Sequence, residues 1–191
     1  MINKKMMVSI FIVAIMVLST FGFMLSYETS GGQKQEYNGH KLIITEQGIK
    51  AKINDKDLYF TYFPTQLEDI NMTSNIKDVL KNMKMITITY NPDSEWAEAM
   101  AEIQYQAEQT IPEYTDIYVA RGVTKAKENE YTIPEVTCNN ATAGAPVLEL
   151  ADGNSTEMIQ KENCIIATAE SENDFYKVYE RILYTILGIM E

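Results

Sequence analysis

MITITYNPDSEWAEAMAEIQYQAEQTIPEYTDIYVA, residues 85–120, is the stretch that decides the architecture. Met85-Ile86-Thr87-Ile88-Thr89-Tyr90 is rich in β-branched residues and reads as a strand. Asn91 and Pro92 suit the cap and first position of a helix, and Asp93 and Glu95 put negative charge near the positive end of its dipole. Trp96, Met100, Ile103 and Ala107 follow at helical spacing, which predicts a face packed on a sheet rather than a cofactor box. Pro112 is expected to close the helix, and Asp116-Ile117-Tyr118-Val119-Ala120 supplies the next strand. Strand, helix and strand in this order predict a right-handed parallel crossover.

Toward the N-terminus, Lys41-Leu42-Ile43-Ile44-Thr45, Ile49-Lys50-Ala51-Lys52-Ile53 and Leu58-Tyr59-Phe60-Thr61-Tyr62-Phe63 read as three strands of an antiparallel meander. Turns at Gln47-Gly48 and Asn54-Asp55 join them, and Pro64 ends the run. Leu67, Ile70, Ile76, Val79, Leu80 and Met83 mark one or two short helical stretches with a narrow apolar stripe. Toward the C-terminus, after a polar stretch at 125–130, residues 133–138, 146–150, 156–160 and 164–168 read as strands, with a turn at Asp152-Gly153-Asn154. A final amphipathic helix begins near Ser171, with Asp174 in a capping-box-like place. Its apolar positions are Phe175, Val178, Tyr179, Ile182, Leu183, Ile186, Ile189 and Met190. The fold class expected is mixed α+β: a mixed sheet, a central strand-helix-strand crossover and a C-terminal amphipathic helix.

In front of this domain lies an uncharged apolar run, residues 6–25, preceded by Lys4 and Lys5. At about 1.5 Å per residue, some twenty helical residues cover the roughly 30 Å hydrocarbon core of a bilayer. The organisation expected is therefore a cytoplasmic segment 1–5, a transmembrane signal anchor 6–26, a polar linker 27–38 with Gly31-Gly32, and an extracytoplasmic domain 39–191. A cleaved signal peptide is the rival reading, but the run exceeds a signal core of about 7 to 15 residues and lacks an Ala-x-Ala exit. A pilin-like segment is disfavoured, because the small residue at a processing site and the early acidic residue are missing.

All 27 acidic residues follow the span, whereas Lys4 and Lys5 precede it, so 14 basic residues stand against 27 acidic ones in the exported part, a formal −13. That balance argues against nucleic acid or anionic lipid headgroups as partners, and dispersed acidic groups suit a solvated surface. Cys138 and Cys164 are the only cysteines, and an oxidising compartment favours a disulfide between them. Their spacing is not that of a Cys-x-x-Cys redox pair, and the single histidine, His40, lies far off in sequence, so no metal site or cofactor is assigned. Asn71, Asn140 and Asn154 open three glycosylation triplets that belong on the surface if the domain is exported.

No catalytic residue is assigned either. A serine or cysteine triad needs a base, and the only histidine, His40, lies close to the tether; Gly-x-Ser-x-Gly, phosphate-loop and His-Glu-x-x-His patterns are missing. Glu95, Glu98 and Glu102 share one helical face, but a wet one, away from Trp96, Met100 and Ile103. Asp152-Gly153-Asn154 is too short for an EF-hand loop and reads as a turn.

Tyr59-Phe60-Thr61-Tyr62-Phe63-Pro64, Thr137-Cys138-Asn139-Asn140-Ala141-Thr142, Asn163-Cys164-Ile165-Ile166 and the ending Leu183-Tyr184-Thr185-Ile186-Leu187-Gly188-Ile189-Met190 together resemble uncharacterised single-span, membrane-anchored extracytoplasmic proteins of small-genome archaea. The resemblance spans most of the domain and implies a cell-envelope protein with paired cysteines. It brings no activity with it. Two classes of function follow. One is a tethered envelope module that binds another envelope protein or a surface polymer, or is structural. The other is a membrane-tethered, carboxylate-dependent hydrolase or lyase, which requires a deep pocket with two convergent buried carboxylates.

Overall fold

The computed structural model describes residues 10–18, 32–73, 75–125 and 133–190. Strands β1 (Gln33–Tyr37), β2 (His40–Thr45), β3 (Gly48–Ile53) and β4 (Lys56–Phe60) form an antiparallel meander in that order. The two-residue turn between β3 and β4 places Asn54 and Asp55 at φ 49° and 65°, a left-handed pair whose twist matches the flanking strands. Gly48 has φ 121°, and a β-carbon there would sit 2.5 Å from the Phe60 carbonyl oxygen, so the position demands glycine. Two expectations are corrected. Strand β1 lies within the stretch 27–38 read as a linker, hidden because this edge strand pairs through its backbone with β2 and carries almost no apolar alternation. Strand β4 stops at Phe60 rather than Phe63, because the N–H groups of Thr61 and Tyr62 turn to the side chain of Glu180.

A second sheet has the order β5-β9-β10-β8-β6-β7, built from β5 (Asn71–Met72), β6 (Met85–Tyr90), β7 (Tyr118–Arg121), β8 (Val147–Asp152), β9 (Glu157–Lys161) and β10 (Cys164–Ala169). Strands β6, β7, β8 and β10 are parallel, while β9 and the short β5 run against them. The mixed α+β class is as expected, in two sheets rather than one. Helix α2 (Ile76–Asn82) buries Ile76 and Leu80, and Asn71-Met72, which lies between Ile70 and Ile76 of the apolar stripe read as one or two short helices, is an edge strand on β9.

Helix α3 (Ala97–Tyr114) joins β6 to the parallel β7, as the spacing predicts, with Met100, Ile103 and Ala107 buried. Its start is later than expected. Asn91 accepts from the N–H of Asp93 at 3.0 Å and Ser94 from that of Trp96 at 3.0 Å, so two local turns precede the helix. Pro112 does not close it: the last turn continues to Tyr114, and Thr115 donates its N–H to Ile111 at 3.0 Å.

Residues 133–138 are not a strand. One parallel bridge links Val123 and Glu135, and then Thr137 and Asn140 cap a 3-10 turn over Cys138–Asn140, where Pro134 could give no N–H to a ladder. This segment runs as a strap across the face of β6 that carries Thr87 and Thr89. Thr89 donates its hydroxyl to the Val136 carbonyl at 2.7 Å, and a β-carbon on Gly122 would come 2.8 Å from that of Val136. The alternate face of β6, with Ile86, Ile88 and Tyr90, belongs to the main core.

Helix α4 (Glu172–Ile186) begins at Ser171, which accepts the N–H of Asp174 as expected. Every residue from Val178 to Thr185 is buried, so over two turns α4 has no wet face. It lies between the sheets. It contacts β10 of the mixed sheet, while Tyr184 stacks on Phe60 of the meander with ring centroids 3.9 Å apart.

A helical stretch, α1, covers residues 10–18, and its apolar side chains are largely exposed, Phe11 at 65 % and Leu18 at 71 %. Among the described residues no helix is long and apolar enough to cross a membrane. The remainder of the expected span 6–26, the flanking Lys4 and Lys5, Gly31, and most of the polar stretch from 125 to 130 lie outside the described residues.

Candidate functional site

A cleft of about 310 Å³ opens where the end of β4 meets α3 and α4, at the small end of the usual range for ligand sites, about 300–1,000 Å³. A neighbouring cleft of about 150 Å³ continues along β4 past Leu58, Thr110 and Leu183. Helical periodicity builds the walls. Gln106 and Thr110 are one turn apart on α3, while Asn173, Tyr176 and Glu180 project from successive turns of α4.

Glu180 anchors the floor. Its two carboxylate oxygens accept the N–H groups of Thr61 at 2.6 Å and Tyr62 at 2.8 Å, and one turn on, Tyr184 donates its hydroxyl to the Tyr62 carbonyl at 3.0 Å. Burial pushes the Glu180 carboxyl above 4.5, opposed by the two N–H bonds, which favour its charged form.

The rim is a chain of polar contacts. Tyr62 donates its hydroxyl to Asn173, and Glu102 accepts both the hydroxyl of Tyr176 at 2.7 Å and the amide of Gln106 at 2.9 Å. Lys177 bonds Asp174 at 2.8 Å and holds its ammonium 5.9 Å from the centre of the Tyr62 ring. Burial pushes Tyr176 up to about 12, helped by its bond to Glu102 and by the nearby Glu172 and Glu98. Tyr179 is also pushed up to about 12 by burial, so both phenols are neutral over the physiological range.

The sequence-read positions fall elsewhere, with one exception. Cys138 and Cys164 are joined by a disulfide, Cα atoms 5.3 Å apart, which pins the strap to the first residue of β10. Glu149 lies beside the two sulfurs, but their bond leaves no thiolate to ligate a metal. Asn71, Asn140 and Asn154 are all exposed; Asn140 also uses its side-chain oxygen in the cap of the 3-10 turn. His40 opens β2, far along the chain from the walls of the cleft. Asp152 accepts a hydroxyl bond from Ser94, tying the end of β8 to the approach to α3. The exception is Glu102, exposed as read from its helical face, yet part of the rim.

Sequence reasoning missed Glu180, Tyr176, Asn173 and Gln106. The available signal was Glu180 itself, a carboxylate set between Tyr179 and Ile182 on the buried run of the last helix. No protein-family model, curated protein or solved structure matches the chain.

Proposed function

We propose that the protein is a membrane-anchored extracytoplasmic module of the cell envelope, archaeal in type, whose cleft between β4, α3 and α4 binds another envelope component, a protein or a surface polymer. The observation that carries the binding reading is the cleft's lining: phenols and side-chain amides around one buried carboxylate whose two oxygens are both committed to backbone N–H groups. A two-carboxylate hydrolase needs one acid free to give a proton and a second free to attack or to activate water. Glu180 is occupied in holding the 61–62 backbone, and Glu102 is exposed.

The anchor is the uncharged run 6–25, long enough to span a bilayer as a helix, and the exposed apolar surface of α1 suits lipid as its environment. Lys4 and Lys5 orient the chain with the domain outside, where an oxidising compartment favours the Cys138–Cys164 bond. Fractionation tests this. The full chain is expected to stay in the membrane pellet after alkaline carbonate washing and to be cut by protease added to intact cells. Recovery in the cytosolic supernatant, or protection from external protease, would overturn the reading.

A further inference from the structure

The unspent hydrogen-bonding groups of the cleft define what it takes. Asn173 spends its side-chain oxygen on Tyr62, which leaves its amide nitrogen as a donor. Gln106 gives one N–H of its amide to Glu102, which leaves its second N–H as a donor and its oxygen as an acceptor. The hydroxyl of Tyr176 gives its proton to Glu102 and keeps its lone pairs as acceptors. The lining therefore offers both donors and acceptors beside the Tyr62 and Tyr176 side chains. A cation brings donors alone and would leave Asn173 unanswered. It would also find one aromatic site taken, since Lys177 already lies over Tyr62. An anion brings acceptors alone and would meet Glu102, Glu98 and Glu172, the carboxylates that surround Tyr176. An uncharged ligand whose polar groups both donate and accept, with apolar faces between, answers the whole set.

We infer that the cleft binds an uncharged saccharide, one or two rings of a neutral surface glycan. Sugar hydroxyls pair with Asn173, Gln106 and Tyr176, and a C–H face of the ring lies on Tyr176. This rests on the envelope-module reading and specifies its ligand. The neighbouring cleft along β4 extends the site in one direction, which suits an internal segment of a polymer as well as its end.

Titration calorimetry on the full chain in detergent tests it, with neutral di- and trisaccharides (mannobiose, cellobiose, chitobiose, maltotriose), spermidine as the cation and inorganic phosphate as the anion. Saturable binding of at least one neutral saccharide is expected, weakened about tenfold by Tyr176→Ala and by Asn173→Ala, as loss of one good contact implies. Tyr105→Ala, on an exposed part of α3, should leave it unchanged. Tyr176→Phe keeps the ring and should fall between wild type and Tyr176→Ala, which separates a lost contact from lost folding. Binding of spermidine or phosphate alone, no binding across the saccharide panel, or saccharide binding indifferent to the cleft variants would each overturn the inference. If the chain still fractionates with membranes and is cut from outside, only the ligand class has failed; if it moves to the cytosol, the underlying reading has failed with it.

Discussion

Glu180 shows how one side chain can serve packing and site together. It sits on the buried run of α4, yet closes the end of β4 by taking two N–H groups that would otherwise continue a strand. Its folded pKa is raised above 4.5 by burial, so folding favours the protonated form. The sign follows: this contribution to stability is complete below the unfolded value and is lost as pH rises through the folded one. Measured by urea unfolding, the stability of wild type relative to Glu180→Gln should fall as pH goes from 4 to 7; a constant or rising difference would contradict the assignment. Gln104 is a second buried polar residue, its amide donating to the Ile88 carbonyl at 2.7 Å and that of Gly122 at 2.8 Å. It holds the end of β7 against β6 below helix α3. Gln104→Leu keeps the bulk and removes the donor, so a loss of about 1–3 kcal/mol is expected in denaturant unfolding. Ser171→Ala should cost about 1 kcal/mol by the same measurement, because the α4 N-cap bond to Asp174 goes with the hydroxyl.

At the scale of elements, legibility tracks how local the cause is. The β6–α3–β7 unit could be read because its strand and helix carry distinct hydrophobic periods over long runs, and the start of α4 because Ser171 and Asp174 are a local cap. Strand β1 escaped because Gln33-Lys34-Gln35-Glu36-Tyr37 pairs with β2 through its backbone and shows no apolar alternation, and strap 133–138 was misread because the Val136 carbonyl takes the Thr89 hydroxyl and Thr137 caps a 3-10 turn rather than joining a ladder. The cleft was illegible for a further reason: its walls come from positions near 61, 106 and 176, which only the stacking of α4 between two sheets brings together. The disulfide was legible from a count of two cysteines together with the expected oxidising compartment, and its cysteines lie 26 positions apart. Cys138→Ser with Cys164→Ser should destabilise the domain by about 2–4 kcal/mol in unfolding. Limited proteolysis should then cut first within 133–146, and unchanged resistance there would show that Thr89 and the Val123–Glu135 bridge hold the strap without the covalent tie.

Over the whole molecule, a helix layer with α4 at its centre is covered by a four-stranded meander on one side and a six-stranded mixed sheet on the other, and the cleft opens where meander and helices meet. The chain is strongly acidic, with a formal net charge of −11, a balance that favours solubility. The proposed placement of the domain outside the cytoplasm on a lipid tether rests on the uncharged run before it and on the covalent bond within it. The most direct test is thiol labelling of intact cells with a membrane-impermeant maleimide, before and after a brief external reductant. Cys138 and Cys164 should be unreactive at first and labelled after reduction, on a polypeptide that sediments with membranes. Free thiols that react only after cell lysis, on a polypeptide left in the supernatant, would contradict the account.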